Sequence, residues 1–150
     1  MNMLRILCFV AAATAAFSTP VAAQSLAEKR QQAAWVDQVQ SSIASTKQNC
    51  GKDVTVSFDV ESWSKVPEDQ KTFAFGEYCG ACLMAMSRIC GDELGKEAVT
   101  TQIDKVICRY HAEQQPKLVI DKATKTLDCS FDLHDMQFQA EARAALEKIL

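Results

Sequence analysis

The sequence lacks the motifs of the common enzyme classes. No GxSxG, HExxH, P-loop or Rossmann glycine pattern occurs along the chain, so the hydrolases, metallopeptidases and nucleotide-dependent enzymes that carry these patterns have no support. The two histidines, His111 and His134, do not stand at a metal-ligand spacing from a cysteine pair. We therefore expect no metal and no cofactor.

Basic clusters and long apolar runs are also lacking. The chain of 150 residues has 16 Lys and Arg against 19 Asp and Glu, for a formal net charge of −3. No Lys/Arg-rich helix or patch appears, which argues against nucleic acid or an anionic membrane as partner. After Gln24, no apolar run approaches the roughly 20 residues that a transmembrane helix needs.

The first residues have the pattern of a secretory signal peptide. Arg5 supplies the positive charge, residues 4–17 form an apolar region, and Val21-Ala22-Ala23 offers small residues before a cleavage site. Cleavage after Ala23 defines residues 1–23 as the signal peptide and leaves residues 24–150 as a single domain. We predict a periplasmic or secreted protein, and the alanine-rich apolar region favours a Gram-negative periplasm.

Cysteine is the residue type that the mature chain uses most distinctively. The sequence has seven cysteines, of which Cys8 leaves with the signal peptide. The others are Cys50, Cys79, Cys82, Cys90, Cys108 and Cys129. An even number of cysteines in an oxidising compartment predicts disulfides between all of them, with a connectivity that sequence alone leaves open.

Hydrophobic periodicity predicts the order helix, strand, helix, helix, hairpin, helix. The predicted helices cover residues 25–48, 67–90, about 99–110 and a C-terminal segment from Phe138, and the predicted strands cover residues 54–60, 117–121 and 126–133. This order indicates an α+β domain with a small, mainly antiparallel, three-stranded sheet packed with about four helices and stapled by disulfides.

The segment Cys79-Gly80-Ala81-Cys82 permits two interpretations. A strand precedes this CxxC segment, and Pro116 precedes a hairpin and a final helix, an arrangement that resembles the thioredoxin-like family. The resemblance implies a cis proline beside the active-site sulfurs, with Cys79 attacking a substrate disulfide and Cys82 resolving the mixed disulfide. A helix that begins at Cys79 would allow this pair to close on itself.

The alternative is that both cysteines anchor the fold. Phe75, Cys79, Cys82, Met86 and Ile89 form one helical stripe, and residues three apart inside a helix have Cβ atoms about 5–6 Å apart, farther than the roughly 3.5–4.5 Å of a disulfide. In that case, the predicted bonds are Cys79–Cys108, Cys82–Cys129 and Cys50–Cys90, the first of them joining two antiparallel helices. Gly76 and Gly80 would then allow close packing of another backbone.

The function we expect from these features is binding rather than catalysis. We predict a secreted or periplasmic interaction protein, inhibitor-like or accessory to the envelope, whose unknown protein partner lies in the cell envelope. The alternative is a thiol-disulfide oxidoreductase that uses a Cys79–Cys82 pair. Trp63 follows the first strand, where an exposed tryptophan would suit partner binding; it can equally fold back over the core as a lid.

Overall fold

The computed structural model describes residues 26–71, 75–112, 117–133 and 138–150, which form five helices and four strands. The helices are α1 (Leu26–Cys50), α2 (Val60–Ser64), α3 (Phe75–Ile89), α4 (Glu93–Gln102) and α5 (Phe138–Ile149). The strands are β1 (Thr55–Phe58), β2 (Lys105–Tyr110), β3 (Lys117–Asp121) and β4 (Thr126–Phe131). The predicted signal peptide, Pro116 and His134 lie outside the described residues.

The sheet is four-stranded and mixed, with the order β1-β2-β4-β3. β1, β2 and β4 run parallel to one another, and only β3 is antiparallel to its neighbour β4. The α+β class is confirmed, whereas the prediction of three mainly antiparallel strands is wrong. The strand missing from the prediction is β2, which lies in the centre of the sheet.

Strand β2 was predicted as the second half of a helix. The spacing of Val99, Ile103 and Val106 suggested one continuous helical stripe, but α4 ends at Gln102 and Ile103 has extended backbone. Beyond that point the side chains alternate, because Val106 and Cys108 are fully buried while their neighbours are partly exposed. Period-two burial is typical of a strand, and tertiary pairing on both sides decides the local conformation here.

The helix that carries the CxxC segment begins later than predicted. Residues Pro67–Lys71 form a separate turn, in which the backbone N–H groups of Gln70 and Lys71 donate to the carbonyl oxygen of Pro67 at 2.9 and 3.1 Å. Helix α3 starts at Phe75. The short helix α2, which the side chain of Asp59 caps at its N-terminus, was not predicted at all.

Helix α3 packs closely against α1 through two glycines. A Cβ atom on Gly76 would lie 2.8 Å from the carbonyl oxygen of Trp35, and one on Gly80 would lie 3.0 Å from the hydroxyl of Ser42. The backbone N–H of Gly76 donates to Oε1 of Gln38 at 3.1 Å. Close packing at these glycines, which the sequence indicated, is confirmed.

The β3–β4 hairpin and the final helix follow the prediction. The side chain of Asp121 accepts hydrogen bonds from the backbone N–H of Ala123 at 2.9 Å and the hydroxyl of Thr124 at 2.8 Å, which shapes the turn. Lys125 closes the turn in the left-handed region with φ 49°. In α5, the buried side chains of Phe138, Ala142 and Leu146 face the core.

Candidate binding surface

The two cysteines of the CxxC segment do not bond to each other. Cys79 is bonded to Cys108 on β2, and Cys82 is bonded to Cys129 on β4. Cys108 and Cys129 are register partners on neighbouring parallel strands. Because adjacent strands are about 4.7–4.9 Å apart and residues three apart on a helix are separated by about 5–6 Å, one turn of α3 matches two neighbouring strands.

The third bond, Cys50–Cys90, joins the end of α1 to the residue after α3. The three bonds are the predicted ones, but the reason given for Cys79–Cys108 is wrong, because Cys108 lies on a strand rather than on a second helix. Cys79, Cys82, Cys108 and Cys129 are fully buried, and Cys50 and Cys90 are 1% and 5% exposed. The bonds therefore hold α3 to the sheet and to α1 from inside the core.

Trp63 lies on α2 against an aromatic cluster. Its ring centroid is 5.0 Å from that of Trp35 and 5.1 Å from that of Phe75, and the side chain is half-buried. Phe58 also packs on Trp35, with ring centroids 5.4 Å apart. This placement corresponds to a lid over the core, and the role of Trp63 in partner binding stays a prediction.

The carboxyl ends of the parallel strands are the usual ligand site in open sheets with parallel strands. Here the polar groups bond to one another: the carboxylate of Asp59 accepts from the backbone N–H of Ser62 at 3.1 Å and lies 3.5 Å from the guanidinium of Arg109. The hydroxyl of Ser62 accepts from the backbone N–H of Tyr110 at 2.9 Å. These contacts fix α2 on the strand ends.

Burial raises the pKa of the Tyr110 hydroxyl above its ordinary value, and the nearby carboxylates of Asp132 and Asp69 raise it further. Tyr110 therefore stays protonated at neutral pH and is no nucleophile there. In the part of the chain that the structure describes, no group of three or more His, Cys, Asp or Glu side chains could hold a metal ion. His111 is half-buried beside this region, and its backbone N–H donates to the carbonyl of Phe131 at 2.8 Å.

The sheet face opposite the disulfides carries a groove lined by side chains of β2, β3 and β4. Strand register places nine side chains on it in three rows across β2, β4 and β3, and we call these nine residues the open face. The rows are Lys105, Thr126 and Asp121; Ile107, Asp128 and Val119; and Arg109, Ser130 and Lys117. An open groove of about 740 Å³ runs along this face.

Two aliphatic side chains lie in the middle row of the open face. Val119 is 48% exposed, and Ile107 is half-buried with its side chain lining the groove. Between them, Asp128 is engaged: its carboxylate lies 3.0 Å from Nε of Arg109 and accepts from the hydroxyl of Ser130 at 2.8 Å. The middle row of the open face therefore has an aliphatic side chain at each end, and the negative charge of Asp128 between them is neutralised by Arg109.

The outer rows of the open face carry charges of both signs. Hydrogen bonds from the Thr124 hydroxyl and from the backbone N–H groups of Ala123 and Thr124 hold the pKa of the Asp121 carboxyl below its usual range. Neither Lys105 nor Lys117 forms an ion pair with any residue that the structure describes. The open face thus offers two uncommitted ammonium groups around its aliphatic centre.

A second, smaller cleft lies between α4 and α5. It has a volume of about 340 Å³, and Leu94, one of the residues that line it, is 81% exposed. On the opposite wall, Nε of Arg143 and Oε1 of Glu147 are 2.7 Å apart and satisfy each other. Ile89, Ala98 and Leu150 also line this cleft, but its volume is less than half that of the groove on the open face, so it is the weaker candidate.

Nothing in the sequence pattern indicated Ile107 and Val119 as surface residues. Ile107 fell in the segment predicted as helix, and the face that Val119 occupies depends on which side of the sheet the helices cover. The alternation from Lys105 to Tyr110 is present in the burial of the folded strand and not in the residue types, because Val106, Ile107 and Cys108 are consecutive apolar residues. Lys105, Ile107 and Arg109 share one side of the sheet because β2 is a strand, which the sequence pattern did not indicate.

In comparisons with known proteins, no family model, no curated protein and no solved structure matches the chain. Among the described residues, no helix has the length and apolar character required to cross a membrane. A function for this chain therefore has to be inferred from the geometry of its open face and its disulfides.

Proposed function

We propose that the chain is a non-catalytic binding protein, secreted or periplasmic, that holds a protein partner on the open face of its sheet. The observation that carries this proposal is an uncovered face with Ile107 and Val119 flanked by charges, opposite a face bonded to α3. Interfaces combine an apolar centre with a polar rim in this manner. The first residues, with their signal-peptide pattern, and the three disulfides support a compartment outside the cytosol.

The partner chemistry follows from the charges around the groove. Lys105 and Lys117 lie in the two outer rows, and Asp128 between them is already paired with Arg109. A partner segment with an aliphatic or aromatic side chain at its centre and an acidic group beside it would fill the middle row and meet a lysine. We propose such a segment, from a protein of the envelope or the extracellular medium, as the occupant.

The disulfides support binding over thiol-disulfide exchange. Cys79 and Cys82 are fully buried and bonded to separate strands. Exchange needs an accessible sulfur and an attacking thiolate, and neither cysteine offers one in this arrangement. A bond that spans helix and strand also preorganises the binding surface, which lowers the entropy lost when a partner binds.

The experiment compares two aliphatic positions, the half-buried Ile107 of the open face and the exposed Leu94 of the smaller cleft. The mature protein, its Ile107→Ser variant and its Leu94→Ser variant are immobilised and exposed to an extract of the native envelope fraction. We expect a retained protein that binds wild type and Leu94→Ser alike and that Ile107→Ser loses by about tenfold or more, because a buried aliphatic anchor contributes about 1.5–3 kcal/mol. Equal retention on all three, or loss only with Leu94→Ser, would contradict the proposal.

A further inference from the structure

Strand β3 forms one edge of the sheet and has a partner on one side only. Backbone N–H and C=O groups in a strand point alternately to its two sides, so β3 directs an unpaired row of these groups outwards. Within the described residues, no strand or loop hydrogen-bonds to that row. Such an edge is a template for the addition of another strand.

The sequence of β3 is complementary to itself. When Lys117-Leu118-Val119-Ile120-Asp121 is laid antiparallel against a second copy with Val119 opposite Val119, each Lys117 faces the Asp121 of the other copy. Leu118 then faces Ile120 of the other copy on the core side of the sheet. We propose that a second copy of this chain pairs with β3 in this register, which joins the two sheets into one around a two-fold axis.

Charge and exposure at β3 carry the proposal. Lys117, Val119 and Asp121 are all exposed, and opposite charges directly across an antiparallel pair stabilise that pairing. An edge lysine normally discourages strand addition. Here a second copy of β3 places an aspartate opposite the lysine, whereas the other edge strand, β1, offers no acidic residue over Thr55–Phe58, so the charge favours pairing of β3 with β3 over pairing with β1.

The other edge of the sheet lacks this property. Strand β1 reads Thr-Val-Ser-Phe over Thr55–Phe58 and contains no charged residue. An antiparallel copy of β1 would place Thr55 opposite Phe58, with no charge pair to set the register. The second copy is therefore expected at β3 and not at β1.

The size of this contact sets its strength. A five-residue strand paired with its copy buries less area than the roughly 1,600 Å² of a standard interface. We therefore expect a reversible dimer whose population rises with protein concentration. The dimer shares Lys117 and Val119 with the proposed partner site, whereas Lys105 and Ile107, on β2, take no part in the edge pairing.

The test is sedimentation equilibrium of the mature protein from low to high micromolar concentration. Wild type is expected to shift from monomer towards dimer. Val119→Asp places two like charges on the two-fold axis and is expected to stay monomeric, while the matched variants Val119→Thr and Thr55→Asp dimerise as wild type does. Circular dichroism and thermal melting confirm that each variant is folded. A wild-type monomer throughout, or unchanged dimerisation of folded Val119→Asp, would overturn the proposal.

A crosslink tests the register. Val119→Cys places two cysteines directly opposite each other, with Cβ atoms about 4.5–5.5 Å apart, and a short bifunctional thiol crosslinker is expected to give a covalent dimer that Thr55→Cys does not give. Failure of the Val119→Cys crosslink in a folded dimer would refute the two-fold at this residue. Ile107→Ser is expected to dimerise normally, so loss of the envelope partner and loss of the dimer are separate results.

Discussion

The bond between Cys79 and Cys108 can be removed without disturbing the other two disulfides. The double variant Cys79→Ala/Cys108→Ala opens a loop with a sequence separation of 29 residues. The chain-entropy relation assigns about 3.5 kcal/mol of the free energy of unfolding to a loop of this length. Domains of this kind have total stabilities of about 5–15 kcal/mol, so the variant is expected to stay folded with a much lower urea midpoint.

The matched control is Cys50→Ala/Cys90→Ala, with a sequence separation of 40 residues, for which the same relation gives about 4 kcal/mol. Urea unfolding followed by circular dichroism measures both losses. A loss below about 1 kcal/mol for the Cys79→Ala/Cys108→Ala variant would refute the assignment of this bond to structure. In the wild type, mild thiol reductant is expected to leave both bonds intact until the chain unfolds, because the sulfurs are buried. A native protein in which Cys79 and Cys82 form a reducible pair would support the oxidoreductase instead.

Three further predictions concern single positions. Gly76→Ala is expected to lower the free energy of unfolding by about 1–3 kcal/mol, because the new methyl group would meet the backbone of Trp35 at 2.8 Å. Gly80→Ala is expected to be nearly neutral in the same urea assay, since the hydroxyl of Ser42 that its methyl group meets can rotate. Equal losses in the two variants would contradict this reasoning. Lys125→Gly is expected to raise the free energy of unfolding by about 0.5–1 kcal/mol, because a left-handed φ of 49° is unfavourable for lysine, and a lower thermal midpoint would count against it. The depressed pKa of Asp121 means that its carboxylate stabilises the fold above about pH 4 and that this contribution is lost as the pH falls through the folded-state pKa. Carboxyl NMR titration should show that pKa rise in Thr124→Ala, and an unchanged value would refute the assigned cause.

Local chemistry was sufficient to predict some elements. The hairpin was predictable because a short apolar run, Leu118-Val119-Ile120, and an alternating run from Thr126 flank a polar turn, and β3 and β4 pair with each other along their length. That Cys79 and Cys82 do not bond to each other was predictable because both fall on one helical stripe, whereas the reason for the Cys79–Cys108 bond was not, because Cys108 lies on a strand and not on the predicted helix. Gly76 and Gly80 indicated a close helix contact through the absence of a side chain alone.

Strand β2 and the open face were not predictable in the same way. Parallel pairing joins residues far apart in sequence, such as Ser57 with Ile107 and Ile107 with Asp128. No short turn connects parallel strands, so the sequence contains no local signal for this pairing. The local stripe Val99, Ile103 and Val106 has the steps of four and three residues that are typical of a helix, so the sequence pattern favoured a helix across the point where α4 ends and β2 follows. The choice of strand depends on neighbours on both sides, and with it the side of the sheet on which Ile107 lies.

The spacing of the CxxC segment acquires a mechanical meaning in this fold. Two cysteines three residues apart on α3 bond to two neighbouring strands, so a single turn of the helix is bonded to both β2 and β4 at residues that are register partners. Those same strands carry Ile107 and Asp128 on their other side. The two disulfides therefore hold the strands beneath the open face in place from inside the core. In the proposed function they would support binding by keeping that surface rigid, without themselves reacting.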